Sequence, residues 1–326
     1  MFFSIKNGFH SFLLIMSVCF VFQSCAIHHE LSEQELQKDL AGDLLSVKDS
    51  DVQSLYTVVD NKKFHYLKTG DGPPLILIHG WVCTGYFWKP IMEKLYKNYT
   101  VYAVDLMGHG FSEKKLPKNT ILTPENQAGW VKSFMNNLSI KKAFVVGHSM
   151  GGETAAWLAY KYPESVEKLV LMDAIGLKEN FSLIPWYARM TQRSFMINFT
   201  PDFFSETMVG FFTNHLMKGK KSKLPDWFVK DVVLQNTNTE EDSKALLKAT
   251  KEGLFKEYIK DSEVSTISVP TLCLWGREDN VVPVQLAKKY HNLIKTSSLD
   301  IVDGAGHLLP VEKPDLVAEK LGAFLR

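Results

Sequence analysis

The sequence predicts an α/β protein: a mainly parallel, eight-stranded sheet flanked by helices and interrupted by a mainly helical insert. Three observations carry this. Short apolar runs bounded by turn residues recur along the chain, helix-length segments separate them, and one interval between runs is far longer than the others. Continuous apolarity, unlike alternation, marks strands buried on both faces, the habit of parallel sheets covered by helices. Strand and helix in alternation give the α/β class.

The chain has 326 residues, 45% apolar and 22% charged, enough to bury a large core. Its first 24 residues stand apart from the fold. Lys6 and His10 precede an apolar run from Phe12 to Phe22, broken by Ser17 and Cys19, which is too short to span a bilayer comfortably. The run ends at Phe22-Gln23-Ser24-Cys25 and turns polar at once. This resembles a bacterial lipoprotein signal, although Phe22 stands where an aliphatic residue is usual. The resemblance implies lipidation of Cys25 and membrane anchoring at the bacterial cell envelope. An ordinary cleaved signal, giving a secreted or periplasmic protein, and an uncleaved anchor are the other readings.

Residues 25–50 read as a polar tether. Leu36, Leu40 and Leu44 share a helix face that Ser32 and Glu35 would cap. From Leu55 the pattern changes to strands. Tyr56 to Val59 and Phe64 to Leu67 flank Asp60-Asn61, a hairpin signal. Six more follow: Leu75 to Ile78, Val101 to Val104, Ala143 to Val146, Leu169 to Met172, Thr271 to Trp275 and Leu299 to Val302. Pro124 to Leu138, Gly152 to Tyr162 and Val284 to Ile294 read as helices between them. About a hundred residues separate Met172 from Thr271, too many for a plain crossover. Residues 51–175 and 263–326 are therefore expected to form the core, and 176–262 a cap subdomain.

Chain from Cys25 onward carries 36 Lys and Arg (37 less Lys6) against 36 Asp and Glu, with no basic stripe. Nucleic acid is thus not an expected partner. Cys83 and Cys273 are placed with strands separated by two others, roughly 14 Å apart at about 4.8 Å per strand. That is too far for a disulfide, so both are expected as free structural thiols.

The chemistry centres on Gly147-His148-Ser149-Met150-Gly151-Gly152, where a strand runs into a helix. A serine in a G-x-S-x-G turn of this kind projects its hydroxyl from the end of a sheet. A hydroxyl needs a base to take its proton, and the base needs a third group to fix its tautomer. Asp279 and His307 each lie just past a strand's C-terminal end, in the expected order Ser, Asp, His. Glu278 and Asp173 are rivals for the acid. Met150, following the serine, is expected to give one backbone donor to an oxyanion hole. His79 and His148 read as structural, and no ligand spacing for a metal is evident.

These segments together resemble the α/β-hydrolase superfamily, in its esterase, haloperoxidase-like and meta-cleavage-product hydrolase branch, over roughly residues 55–326 outside the insert. Ser149 matches the elbow serine, Asp279 the acid of Gly-x-x-Asp-x-x-x-Pro, and His307 the histidine of Gly-x-Gly-His. His79-Gly80-Trp81 and Asp105 to Ser112 match two further turns. The resemblance implies Trp81 as the second oxyanion donor and departs from the dehalogenase and epoxide-hydrolase branches, which use aspartate at Ser149. It implies ester hydrolysis without metal or organic cofactor, with carbon–carbon bond hydrolysis as the alternative. A non-catalytic binding protein on the same scaffold is the reading from another class. The insert is rich in aromatics, among them Phe181, Trp186, Tyr187 and Phe195, which build its own core or line an apolar pocket. The second case implies a small-molecule substrate with an apolar acyl or alcohol part.

Overall fold

The computed structural model describes residues 52–117, 119–178 and 258–326, with scattered positions between 213 and 248. The N-terminal apolar run, Cys25, the tether and the insert's aromatics Phe181, Trp186, Tyr187 and Phe195 lie outside the described residues. Among the described residues no helix is long and apolar enough to cross a membrane.

Eight strands form one sheet: β1 (Gln53–Val59), β2 (Lys62–Thr69), β3 (Pro74–Ile78), β4 (Thr100–Val104), β5 (Ala143–His148), β6 (Val166–Met172), β7 (Thr271–Gly276) and β8 (Ser297–Val302). They lie in the order β1-β2-β4-β3-β5-β6-β7-β8. Only β1 with β2 and β2 with β4 run antiparallel. Asp60 and Asn61 join β1 to β2 with φ of 49° and 61°. Both are left-handed, as a two-residue hairpin with right-handed strand twist requires, and Asp and Asn tolerate that conformation best after glycine.

The helices are α1 (Lys89–Leu95), α2 (Pro124–Asn137), α3 (Met150–Lys161), α4 (Asp261–Val264), α5 (Val284–Leu293), α6 (Leu309–Glu312) and α7 (Pro314–Leu325). Strand periodicity sorts the core into two layers. Ile76, Ile78, Leu169, Leu171, Cys273 and Trp275 pack with α2, α3 and α5 residues such as Phe134, Leu158 and Tyr290. Their neighbours Leu75, Leu77, Val170, Met172, Leu272 and Leu274 pack with Ile91 and Met92 of α1 and Leu321 of α7. Both layers are apolar, so every residue of an inner strand must be too, and each fully buried one contributes about 1.5–3 kcal/mol. Ile259 and Val264, just ahead of β7, join the first layer.

β8 closes one edge and is only half-buried, although its apolar run reads like an inner strand. Cys83 and Cys273 are free and buried, with β5 and β6 between the strands they belong with. Cys83 itself lies in the turn after β3.

Candidate active site

At the end of β5 the chain reverses into α3 through Ser149, at φ 54° and ψ −118°. A non-glycine residue there costs on the order of 1–3 kcal/mol. The surroundings hold it in place. Ser149 donates its amide to the carbonyl of Met172 at 3.0 Å, and its own carbonyl accepts from Gly152 at 2.9 Å and Ile175 at 3.2 Å. The turn closes only with glycine at two flanking positions. A Cβ on Gly147 would lie 2.1 Å from the Gly151 carbonyl, and one on Gly151 2.3 Å from that of Ile78.

The loop after β7 presents Asp279. One carboxylate oxygen, Oδ1, accepts the amides of Val281 and Val282 at 2.8 and 2.7 Å. Oδ2 is left for His307, whose Nδ1 donates at 2.8 Å. His307 Nε2 faces Ser149 Oγ at 3.0 Å. The side chains of His307 and Asp279 are 2% and 0% exposed, so water does not compete for these bonds. With its proton on Nδ1, the neutral ring offers Nε2 to the serine hydroxyl. The array can therefore draw a proton from Ser149 and return it to a leaving group.

The rival acids face elsewhere. Asp173 accepts the Gly276 amide through Oδ1 at 2.8 Å, and its Oδ2 is buried with no hydrogen-bond partner. Burial, then the charge of Asp279, pushes its carboxyl well above the usual range, favouring the protonated form. Glu278 accepts the Lys220 amide at 2.7 Å.

The turn carrying Trp81 lies against the serine: a Cβ on Gly80 would come within 3.0 Å of Ser149 Cβ. His79 braces that turn by donating from Nδ1 to the Gly80 carbonyl at 2.7 Å while Nε2 accepts the Leu106 amide at 3.0 Å. Burial lowers its pKa and keeps the ring neutral. The Gly80 carbonyl and the Trp81 N–H belong to one planar peptide, so holding the first orients the second. Met150 opens α3, where a helix's first amides lack intrahelical acceptors. Cys83 closes the same turn through its amide to Gly80 at 3.2 Å. Burial pushes its thiol up to about 12, which removes it as a nucleophile.

A family model for the alpha/beta hydrolase fold matches residues 73–314. The chain belongs to the α/β-hydrolase family. This hydrolase is 27% identical to the carboxylesterase YbfK of Bacillus subtilis (strain 168) over 295 residues, 86% of this chain and 90% of the relative. It is 29% identical to the 2-hydroxy-6-oxo-6-(2'-aminophenyl)hexa-2,4-dienoic acid hydrolase of Metapseudomonas resinovorans over 273 residues, 80% and 86% of the two chains. The epoxide hydrolase CorEH shares its fold at a TM-score of 0.73 and 22% identity, over 85% of this chain and 100% of that one.

Two features of the site are not legible as side-chain motifs. His148 donates from Nε2 to the carbonyl of His307 at 2.6 Å. Glu312 accepts backbone amides on either side of His307. The only sequence signal for Glu312 is one acid closing the apolar stretch Leu308–Val311. Away from this site, Ser54, His65 and Asp105 form a second array of the same type. His65 Nδ1 donates to Asp105 Oδ2 at 2.7 Å, and its Nε2 lies 2.8 Å from Ser54 Oγ. Asp105 also accepts the amides of Gly85 and Phe111, which ties the turns after β3 and β4 together.

Proposed function

We propose that this α/β hydrolase is a serine esterase that cleaves carboxylic esters with an apolar acyl or alcohol part. The hydrogen-bonded chain from Asp279 through His307 to Ser149 carries this reading. His307, oriented by Asp279, deprotonates Ser149, which attacks the ester carbonyl. The amides of Met150 and Trp81 receive the oxyanion. His307 returns the proton to the leaving alcohol, and water then hydrolyses the acyl-enzyme by the same route. Removing one oxyanion donor costs about 3 kcal/mol in other hydrolases.

Serine at position 149 supports an acyl-enzyme, and the carboxylesterase relative supports an ester substrate. The dienoic acid hydrolase relative favours a second reading, carbon–carbon bond cleavage by the same three residues. Initial rates on p-nitrophenyl esters of increasing chain length, beside a vinylogous diketone acid, separate the two. Esterase action predicts turnover rising with acyl length. Activity confined to the diketone overturns it.

The N-terminus is proposed as a lipoprotein anchor at the bacterial cell envelope, with Cys25 acylated, 25–50 as tether and 176–262 as cap. A Cys25→Ser variant is expected to leave the membrane fraction and lose its lipid. Continued partition with lipid still attached sinks the anchor.

A further inference from the structure

Around His307 the backbone is held by one carboxylate. Glu312, at the end of α6, turns back over the loop that follows β8. Its Oε1 accepts the amides of Gly306 at 3.1 Å and Leu308 at 3.0 Å. Its Oε2 accepts Gly306 at 3.0 Å and, from the insert, Gly219 at 2.8 Å. The two residues flanking the histidine and one residue of the insert thus share a single acceptor group.

The neighbouring contacts extend this junction. Lys220 donates its amide to Glu278, beside Asp279, at 2.7 Å. Ser222 Oγ donates to the Gly304 carbonyl at 3.2 Å. Gly219 lies so close to the loop that an added Cβ would be 3.1 Å from Ala305 Cα and from the Gly304 carbonyl oxygen. The loops after β7 and β8 are joined in turn by the Glu278 amide to the Ala305 carbonyl at 2.8 Å. Residues of the insert therefore touch the two loops that carry Asp279 and His307.

We propose that Glu312 is a positioning residue that ties Gly219 to the backbone on both sides of His307, so that the contact made by the segment around Gly219 helps set the geometry of the base. A bidentate carboxylate suits this because it takes several N–H donors at once, in charge-assisted bonds about twice as strong as neutral ones. Without the Gly219 amide, Glu312 loses one of its donors and the carboxylate is freed to move. The Gly306 and Leu308 amides then lose a fixed acceptor, and His307 loses its register on Ser149. The inference rests on His307 acting as the base of the proposed ester hydrolysis.

The test uses Glu312→Gln in the full chain, which keeps the shape but turns an NH2 toward amides that need an acceptor. Enzyme is counted by fluorophosphonate titration, so misfolded protein does not enter the rate. On p-nitrophenyl acetate, kcat per titrated site is expected to fall about 10- to 100-fold, as small misplacements of catalytic groups do. KM should change less than twofold. By hydrogen exchange, the amides of Gly219, Gly306 and Leu308 are expected to lose protection together, with α3 unchanged. A kcat within twofold of wild type overturns the positioning role. Faster exchange at Gly306 and Leu308 with Gly219 unchanged overturns the link to the insert. If the variant does not fold, native-state exchange of the wild type in rising urea decides. The three amides should share one opening free energy, and separate values overturn the shared lock. Ester turnover surviving in Ser149→Ala would instead sink the esterase reading and leave the exchange result standing alone.

Discussion

His148 donates Nε2–H to the carbonyl of His307 at 2.6 Å, so the residue before the serine holds the backbone of the residue that faces it. The two rings lie 4.9 Å apart, and His148 packs 4.6 Å from the ring of Phe87. Burial, then the neighbouring His307, drives its pKa well below the ordinary value and keeps it neutral. His148→Phe should preserve the apolar packing but leave the His307 carbonyl without its donor. A loss of about 1–3 kcal/mol in urea unfolding is expected, with a several-fold drop in kcat. Unchanged stability and rate would release His148 from this role.

Ser149 is held at a positive φ where its hydroxyl faces His307, and the strain of that backbone can be measured apart from the proposed chemistry. At φ 54° a glycine is at ease and an alanine is not. Ser149→Gly is therefore expected to be about 1–2 kcal/mol more stable than Ser149→Ala, both being inactive on esters. Thermal denaturation of the pair measures it, and equal stability would mean the turn carries no such strain.

Fluorophosphonate should label Ser149 and spare Ser54, although both face a His–Asp pair. Ser54 lies in the edge strand β1, whereas Ser149 stands at a helix start and against the Gly80–Trp81 turn. The relay activates a hydroxyl, but acyl transfer also needs donors for the oxyanion. Mass spectrometry of labelled Ser149→Ala is expected to find no adduct, and an adduct at Ser54 would show that the relay alone suffices.

What the sequence made legible follows from where side chains carry the signal. The inner strands could be read because both faces are buried, as with Leu75–Ile78 and Leu169–Met172, all fully buried. The Asp60-Asn61 turn was legible because few residues tolerate its dihedrals. Helix α3 starts two residues earlier than its apolar pattern implies, since the sharp reversal at Ser149 opens it directly. Helices α1 and α7 do not stand out in the sequence: α1 is seven residues long with no side-chain cap, and α7 also opens without one. Ser149, Asp279 and His307 each follow a strand, within a recognisable turn. The hydrogen bonds of Glu312 and His148 go to backbone atoms, which leave no mark in the identity of their partners.

Stability should fall as the pH drops from about 6.5, the unfolded histidine value. Burial, then the nearby His79, lowers His109 to about 3, and His79 and His148 are lowered as well. Between the folded and unfolded values the unfolded chain binds a proton that the folded protein refuses. Each such histidine thus contributes stability that is full above the unfolded value and is lost toward the folded one. The slope per group is up to about 1.4 kcal/mol per pH unit. Asp173, raised by burial, has the opposite sign, its contribution being complete below the ordinary carboxylate range and lost as pH rises. Urea titrations from pH 7 to 4 should show the loss on acidification, and His109→Gln should make it shallower by about 1.4 kcal/mol per unit. An unchanged slope would place the proton uptake elsewhere.

Asp279 and its two rivals from the sequence, Asp173 and Glu278, should not be equivalent when removed. Asp279 has one oxygen fixed by the amides of Val281 and Val282 and offers the other to His307 Nδ1. An amide there turns a donor toward the ring and favours the wrong tautomer, so Asp279→Asn is expected to lower kcat by about 10⁴-fold, the scale seen in another serine hydrolase. Asp173 favours its neutral form, and asparagine can keep the acceptor for Gly276. Asp173→Asn should therefore cost less than about tenfold, with no electrostatic partner of His307 removed. Glu278→Gln retains a carbonyl for the Lys220 amide and should cost least. Measured side by side at one pH, these rates rank the acids. A loss on Asp173→Asn as deep as that on Asp279→Asn would mean that the two carboxyls share the work of orienting His307.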